Sequence, residues 1–385
     1  MLELRGGQVF RPEGRFEEGS LRLAGQSIVD YRPTGQAGEL GQEGPAEVLD
    51  CSGCYVVPGF IDSHFHGCMG KDICDAEPQA LRKIASQEAQ WGVTALVATT
   101  MSYGERELQG ILGAYRSVAA EEQEQMAAFC GVHLEGPFIN PKRCGAQNPD
   151  YIMNPDADML GRLDACSGGA LRIVTMAPEC DGASELIARY HERMSLSIGH
   201  SEADYCCARH AYQAGMSRLT HCYNAMRGIH HRDPGPILAA LEFPHVFVEL
   251  ITDGVHVHPS VVRQTFKLFG AERIVLVSDS MEATGLADGR YQLGGQAVQV
   301  QGRRATLDDG TLAGSVTHLA DCVRRAVQEM EIPLEQAILS ASSSAARAAG
   351  FYAQRGSLEA GKVADVLVLD SELRLRQVIL RGKPL

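Results

Sequence analysis

The chain has 385 residues, 45% hydrophobic and 22% charged, which is ordinary for a globular protein with room for a large core and a smaller appended unit. Its formal charge of −13 argues against a nucleic-acid or anionic-membrane partner, but leaves room for an anionic small substrate met by a local cluster of cations. No apolar run approaches the roughly 20 residues of a membrane span, and residues 1–7 lack a signal-peptide layout. The twelve cysteines are scattered and read as reduced thiols, which predicts a cytoplasmic protein. Cys51 and Cys54 form a single C-x-x-C with no second pair at zinc-finger spacing, so no structural zinc is expected there.

Residues 1–55 are short β-type segments broken by glycine and proline, and residues 356–385 return to the same texture. This predicts one small β-sandwich domain built from both termini. Between them, apolar runs at 56–62, 94–99, 128–133, 171–176, 196–200, 219–223, 246–251 and 274–278 read as strands. Helical stretches at 78–91, 105–122, 183–194, 202–214 and 259–268 separate most of them. Eight such repeats predict an α/β fold, a TIM-type (β/α)8 barrel over residues 56–355, and no G-x-G-x-x-G follows the first strand to favour a doubly wound sheet. An inserted hairpin is expected near 285–313. A helix over 316–330 with Ser315 as its N-cap follows, and then a second helix from Pro333 to about Gly350.

Active sites of such barrels lie at the C-terminal ends of the strands. Strand one ends in His64 and His66, two residues apart and so on one face of an extended chain. Strand three ends in His133-Leu134-Glu135, strand five in His200, strand six carries His221, and strand eight ends in Ser278-Asp279-Ser280. Taken singly, each side chain reads as a core histidine, a cap or a salt-bridge partner. Together, four histidines, Glu135 and Asp279 on one rim point to a divalent metal, with zinc or iron favoured over calcium or magnesium by the nitrogen donors.

The sequence resembles the amidohydrolase superfamily and, within it, the N-acetylglucosamine-6-phosphate deacetylases. The residues that carry this are 58–67, His133-Leu134-Glu135-Gly136-Pro137-Phe138, Gly199-His200-Ser201, Thr220-His221-Cys222-Tyr223-Asn224-Ala225-Met226, Asp253-Gly254-Val255-His256, Leu312-Ala313-Gly314-Ser315 and Gly361-Lys362-Val363-Ala364-Asp365. The resemblance implies that Glu135, His200 and His221 hold the main metal. It implies that His64 and His66 add a second position, with Glu135 bridging and Asp279 near or bound to it, so one or two divalent ions per chain are expected. Some members have Gln-x-Asn where this chain has His64 and His66. Some have a carbonyl-polarising histidine where this chain has Gln147, which can donate a hydrogen bond but cannot become charged.

The implied reaction is hydrolysis of the acetamide of N-acetylglucosamine 6-phosphate to glucosamine 6-phosphate and acetate, in amino-sugar catabolism or cell-wall sugar recycling. The metal is expected to activate water, and Asp279 to accept its proton and deliver it to the departing nitrogen. Asn224, Ala225, Arg232 and His256 are implied for the sugar phosphate, with the main chain around Ala146, Gln147, Leu312, Ala313 and Gly314. A homodimer is also implied, with part of the phosphate pocket lent by the neighbouring subunit. Three other readings stand beside this one. The first is the N-acetylgalactosamine 6-phosphate epimer as substrate. The second is a cyclic-amide hydrolase or nucleobase deaminase, disfavoured because those usually use a late barrel lysine. The third is a catalytically silent barrel acting as a scaffold.

Overall fold

The computed structural model describes residues 1–35, 47–121 and 124–385. The predicted helix end at Glu122 lies outside the described residues. Eight parallel strands run in sequence order, each bonded to its chain neighbour: Phe60–Asp62, Val93–Thr100, Ala128–Glu135, Leu171–Met176, Ser195–Ile198, Arg218–Leu219, Phe247–Ile251 and Ile274–Val277. The second strand is buried at every position, as expected where both faces of a parallel sheet are covered. Alternation sorts its side chains: Ala95 and Val97 join one core cluster with Ile61, Ile173, Val275 and Val277, whereas Leu96 and Ala98 join the cluster shared with the helices. The two ends of the sheet meet where the Asp279 N–H donates to the His64 carbonyl at 2.9 Å and the Ser278 N–H donates to Asp62 Oδ1 at 3.4 Å. The ends of strands one and eight are therefore neighbours, and the (β/α)8 barrel is the observed fold.

Helices follow the strands at Pro78–Gln90, Glu105–Ala119, Ala157–Ser167, Ala183–Tyr190, Tyr205–Gln213, Gly235–Leu241, Pro259–Phe269 and Leu319–Gln328. Two of these are not evident from sequence. Ala157–Ser167 is started by Asp156, whose side chain accepts from the N–H groups of Asp158 and Met159. Gly235–Leu241 is a seven-residue apolar helix opened by Gly and Pro, too short and too uniform to show a helical period. The last predicted helix is broken at Ser342 into Leu334–Ala341 and Ser343–Ala348. The N-cap of Leu319–Gln328 is His318 and not Ser315. Ser315 is drawn away to the barrel, its Oγ donating to the Ser278 carbonyl at 2.6 Å.

Both termini contribute to a second sheet of eight strands: Leu2–Phe10, Phe16–Ala24, Ser27–Pro33, Glu47–Asp50, Tyr55–Pro58, Val366–Leu369, Leu375–Leu380 and Lys383–Pro384. It bends back on itself so that Ser27 bridges Val363, and it encloses a core that includes Leu4, Leu21, Ile28, Val366 and Ile379. The predicted strand 56–62 is divided here. Tyr55–Pro58 pairs antiparallel with Val366–Leu369, and the barrel strand begins at Phe60. Gly59 marks the crossing, where a Cβ would lie 2.1 Å from Thr94 Oγ1. The expected hairpin is a three-stranded sheet, Gly289–Leu293, Gln296–Gln301 and Arg304–Thr306. Its apolar side packs with Met101, Ala146 and Met281, which sets it against the strand ends.

Candidate metal centre

All six predicted ligands converge. His200 and His221 Nε2 each lie 3.2 Å from Glu135 Oε1 and 3.1 Å from one another. His66 Nε2 is 3.3 Å from Glu135 Oε2 and 3.2 Å from Asp279 Oδ1, and His64 Nε2 is 3.3 Å from Glu135 Oε1 and 3.6 Å from Asp279. Glu135 thus touches both halves of the cluster. Three of the six hold a left-handed backbone, with φ of 49° at His200, 24° at His221 and 51° at Asp279. Each such conformation costs about 1–3 kcal/mol and persists only where the surroundings fix it, as at functional sites. Here it turns each side chain inward immediately after a strand has ended.

The donor set fits a divalent cation. His200 Nδ1 faces the Arg143 carbonyl at 2.8 Å, which can only accept, so Nδ1 carries the hydrogen and Nε2 is left to the cluster. His64 Nε2 is fully buried and makes no hydrogen bond. Burial opposes charge on His66, yet the carboxylates of Asp279 and Glu135 pull its pKa up to about 9. Burial likewise opposes ionisation of Glu135, but His64, His200 and His221 hold it well below the usual carboxylate range. Two carboxylates and four imidazoles whose ligand atoms meet at one point are a donor set that takes up a divalent cation with release of protons.

Beneath the cluster lies a layer that sequence reasoning missed. His64 Nδ1 donates to Glu249 Oε2 at 2.8 Å, and Arg218 NH1 donates to Glu249 Oε1 at 2.9 Å; all three side chains are fully buried. The signal was a charge inside an apolar strand: Glu249 within 246–251, and Arg218 directly before Leu219. His133, predicted only as part of a motif, donates to or accepts from Thr175 Oγ1 at 2.7 Å and stands below the ligands.

A cavity of about 450 Å³ opens above the cluster. Ala146, Gln147, Asn224 and Ala225 line it, and so do His256, Leu312 and Gly314, all predicted for substrate. Ala313 is buried behind this wall. Arg232 is not part of the lining; it sits on the exposed turn bridged by His230 and Asp233, with NH1 2.7 Å from His231 Nε2. In one chain the cavity cations are instead Lys142 and Arg143, on the short helical turn Pro141–Arg143. Arg143 is ion-paired with Glu202, whereas the Lys142 ammonium makes no hydrogen bond or ion pair among the described residues. Gln147 is held at both ends, donating to Glu135 Oε2 at 2.8 Å and accepting from the Ser102 N–H at 2.7 Å. His256 Nδ1 is tied to Asp253 Oδ2 at 2.8 Å.

A (β/α)8 barrel with histidines and carboxylates gathered at its strand ends is the architecture of a metal-dependent hydrolase. The chain belongs to the amidohydrolase family, whose profile matches residues 55–385, and that family implies a divalent metal. It is 38% identical over 330 residues to the N-acetylglucosamine-6-phosphate deacetylase of Bacillus subtilis, covering 85% of this chain and 83% of that one. It is 35% identical to the N-acetylgalactosamine-6-phosphate deacetylase of Escherichia coli O157:H7, covering 99% and 98%. Among solved structures, a variant of the Mycobacterium smegmatis N-acetyl-D-glucosamine-6-phosphate deacetylase, in complex with N-acetyl-D-glucosamine-6-phosphate, superposes with a TM-score of 0.91. It shares 33% identity over 100% of this chain and 98% of that one.

Proposed function

We propose that this chain hydrolyses the acetamide of N-acetylglucosamine 6-phosphate, releasing acetate and glucosamine 6-phosphate. The observation that carries the reading is the cluster of six donors at the floor of a cavity of about 450 Å³, a volume suited to a single sugar phosphate. Glu135, His200 and His221 would hold one divalent ion, and His64, His66 and Asp279 a second, with zinc or iron best matched to the nitrogen donors. The chemistry supplied by a bound cation is Lewis acidity, which brings the pKa of water towards neutrality and polarises a carbonyl.

The remaining work falls to side chains. Asp279 takes the proton of the attacking water as the new C–O bond forms, then returns it to the sugar nitrogen as the C–N bond breaks. Burial opposes its ionisation, but His64 and His66 hold its pKa below the usual carboxylate range, so it starts as a base. His256, with Nδ1 fixed by Asp253, offers its other ring nitrogen to the acetyl oxygen or the sugar. Gln147 steadies Glu135, which is a different use from carbonyl polarisation. The phosphate meets Lys142 at the cavity wall and, in a homodimer, Arg232 contributed by the neighbouring subunit. Twelve free cysteines among the described residues support a reducing, cytoplasmic setting.

The near full-length match to a galactosamine relative favours the epimer as the second reading. Acetate release from the two 6-phosphorylated N-acetyl sugars and their dephosphorylated forms tests both. The expected order of kcat/KM places N-acetylglucosamine 6-phosphate first and its dephosphorylated form at least about 100-fold lower, as loss of charge-assisted phosphate contacts requires. Equal rates with and without phosphate would contradict the proposal, and a preference for the galactose epimer would install the second reading.

A further inference from the structure

We propose that Glu249, anchored by Arg218, is the positioning residue that makes the His64, His66 and Asp279 half of the site able to hold a metal ion, so that the chain takes two divalent cations. The inference rests on the metal-dependent reading above and deepens it.

Glu249 stands on the seventh strand with no solvent exposure, and each group around its carboxylate is a donor. Oε2 receives the His64 Nδ1–H at 2.8 Å and the backbone N–H of His221 at 3.2 Å, while Oε1 receives Arg218 NH1 at 2.9 Å. An ionised carboxylate only accepts. It therefore fixes a hydrogen on Nδ1 of His64, so that Nε2, which faces Glu135 and Asp279, is the nitrogen left to take a metal ion. The ring has no solvent exposure, and the group that meets Nδ1 is this carboxylate, which selects the tautomer.

The other ligand histidines lack this arrangement. Nδ1 of His200 rests on a backbone carbonyl, and Nδ1 of His66 and of His221 makes no hydrogen bond among the described residues. Among the described residues, only His64 of the four has its Nδ1 hydrogen-bonded to a carboxylate. Glu249 also reaches across to the main chain of His221, whose φ of 24° it helps to hold, so one side chain braces both halves of the cluster. Arg218 keeps Glu249 in place and charged, and its NH1 also reaches Ser63 Oγ at 3.2 Å, beside His64. His133, Glu249 and His64 are close enough to suggest a third ion site, but His133 Nε2 is engaged by Thr175 and Glu249 is saturated by donors. That group is the support of the metal centre and does not form another one.

The substitution Glu249→Gln is nearly isosteric and directly diagnostic. Its amide would present an NH2 to at least one donor, and His64 relieves the clash by moving its hydrogen to Nε2, the tautomer that cannot bind metal. Chelator-stripped protein titrated with zinc, with metal content read by mass spectrometry, gives two equivalents for wild type. E249Q is expected to keep one tight equivalent and to bind the second about 10–100-fold more weakly, the usual effect of losing a carboxylate behind a ligating histidine. His64→Gln should lose the same equivalent, and H64Q/E249Q should be no weaker than H64Q alone, because Glu249 acts through His64. If E249Q does not fold, Glu249→Asp withdraws the carboxylate by one methylene, and a weakened second equivalent is again expected. E249Q or E249D binding both equivalents as tightly as wild type would overturn the inference, and so would a wild type that binds only one. A wild type that binds none would overturn the metal-dependent reading along with it.

Discussion

Replacing Arg218 with methionine tests the layer on which the metal cluster stands. Arg218 is fully buried, and its NH1 lies 2.9 Å from Glu249 Oε1. Breaking a buried pair by removing one partner destabilises by about 3–5 kcal/mol, because the remaining charge is left without compensation. Glu249 would keep two donors, His64 Nδ1 at 2.8 Å and the His221 N–H at 3.2 Å, which places this case near the lower end, about 3 kcal/mol. An unfolding entropy of about 2.1 cal/mol/K per residue over the chain gives a fall in Tm of about 4 °C. Scanning calorimetry of metal-stripped protein measures it without the added linkage of metal binding. The double substitution R218M/E249L removes both charges and should recover most of the loss while still weakening the second metal equivalent. A fall below about 1 °C for R218M, or a double variant whose loss is the sum of the singles, would refute the reasoning.

Asp279→Asn should lower kcat by about 10²–10⁴-fold with the Glu135, His200 and His221 metal equivalent retained, and substantial residual turnover would remove Asp279 from proton transfer. Lys142→Ala should raise KM roughly 10-fold for the phosphorylated sugar and leave the unphosphorylated sugar unchanged, as competing-substrate kinetics will show. Burial lowers the pKa of His256, but Asp253 more than offsets it and the net shift is upward, while Asp253 itself is lowered by His256 against the opposing effect of burial. The histidine term is present below the ordinary histidine pKa and is lost as pH rises through the raised value; the aspartate term is present above the ordinary carboxylate pKa and is lost as pH falls. The Tm difference between wild type and His256→Asn should therefore be widest between the ordinary carboxylate and histidine pKa values, about pH 4.5 to 6, and shrink as the pH rises above the ordinary histidine value. Gly59→Ala should destabilise by about 1–3 kcal/mol in denaturant unfolding, since the new Cβ would sit 2.1 Å from Thr94 Oγ1.

The strand ends were the most legible part of the sequence. His64, His66, Glu135, His200, His221 and Asp279 each close an apolar run, and a barrel brings such positions to one rim regardless of loop detail. Gly59 was harder to interpret, because 55–61 carries no charged residue and periodicity has no means of marking where a chain leaves one sheet for another. The helices at Ala157–Ser167 and Gly235–Leu241 were missed because one carries glycine and aspartates within it and the other has no polar face. Glu249 and Arg218 were passed over for a different reason. Their meaning lies in a pairing across strands six and seven, and a charge in an apolar strand states only that a partner exists. Lys142 enters the cavity through the turn Pro141–Arg143, which has no period to detect.

The central claim is that the side chains at the strand ends hold a divalent cation. Crystals of the full chain grown with zinc, with diffraction recorded on both sides of the zinc absorption edge, test it most directly. The account predicts an anomalous peak enclosed by Glu135, His200 and His221, and a second beside His64, His66 and Asp279. A map that is flat at the first position, with zinc only on surface residues, would contradict it.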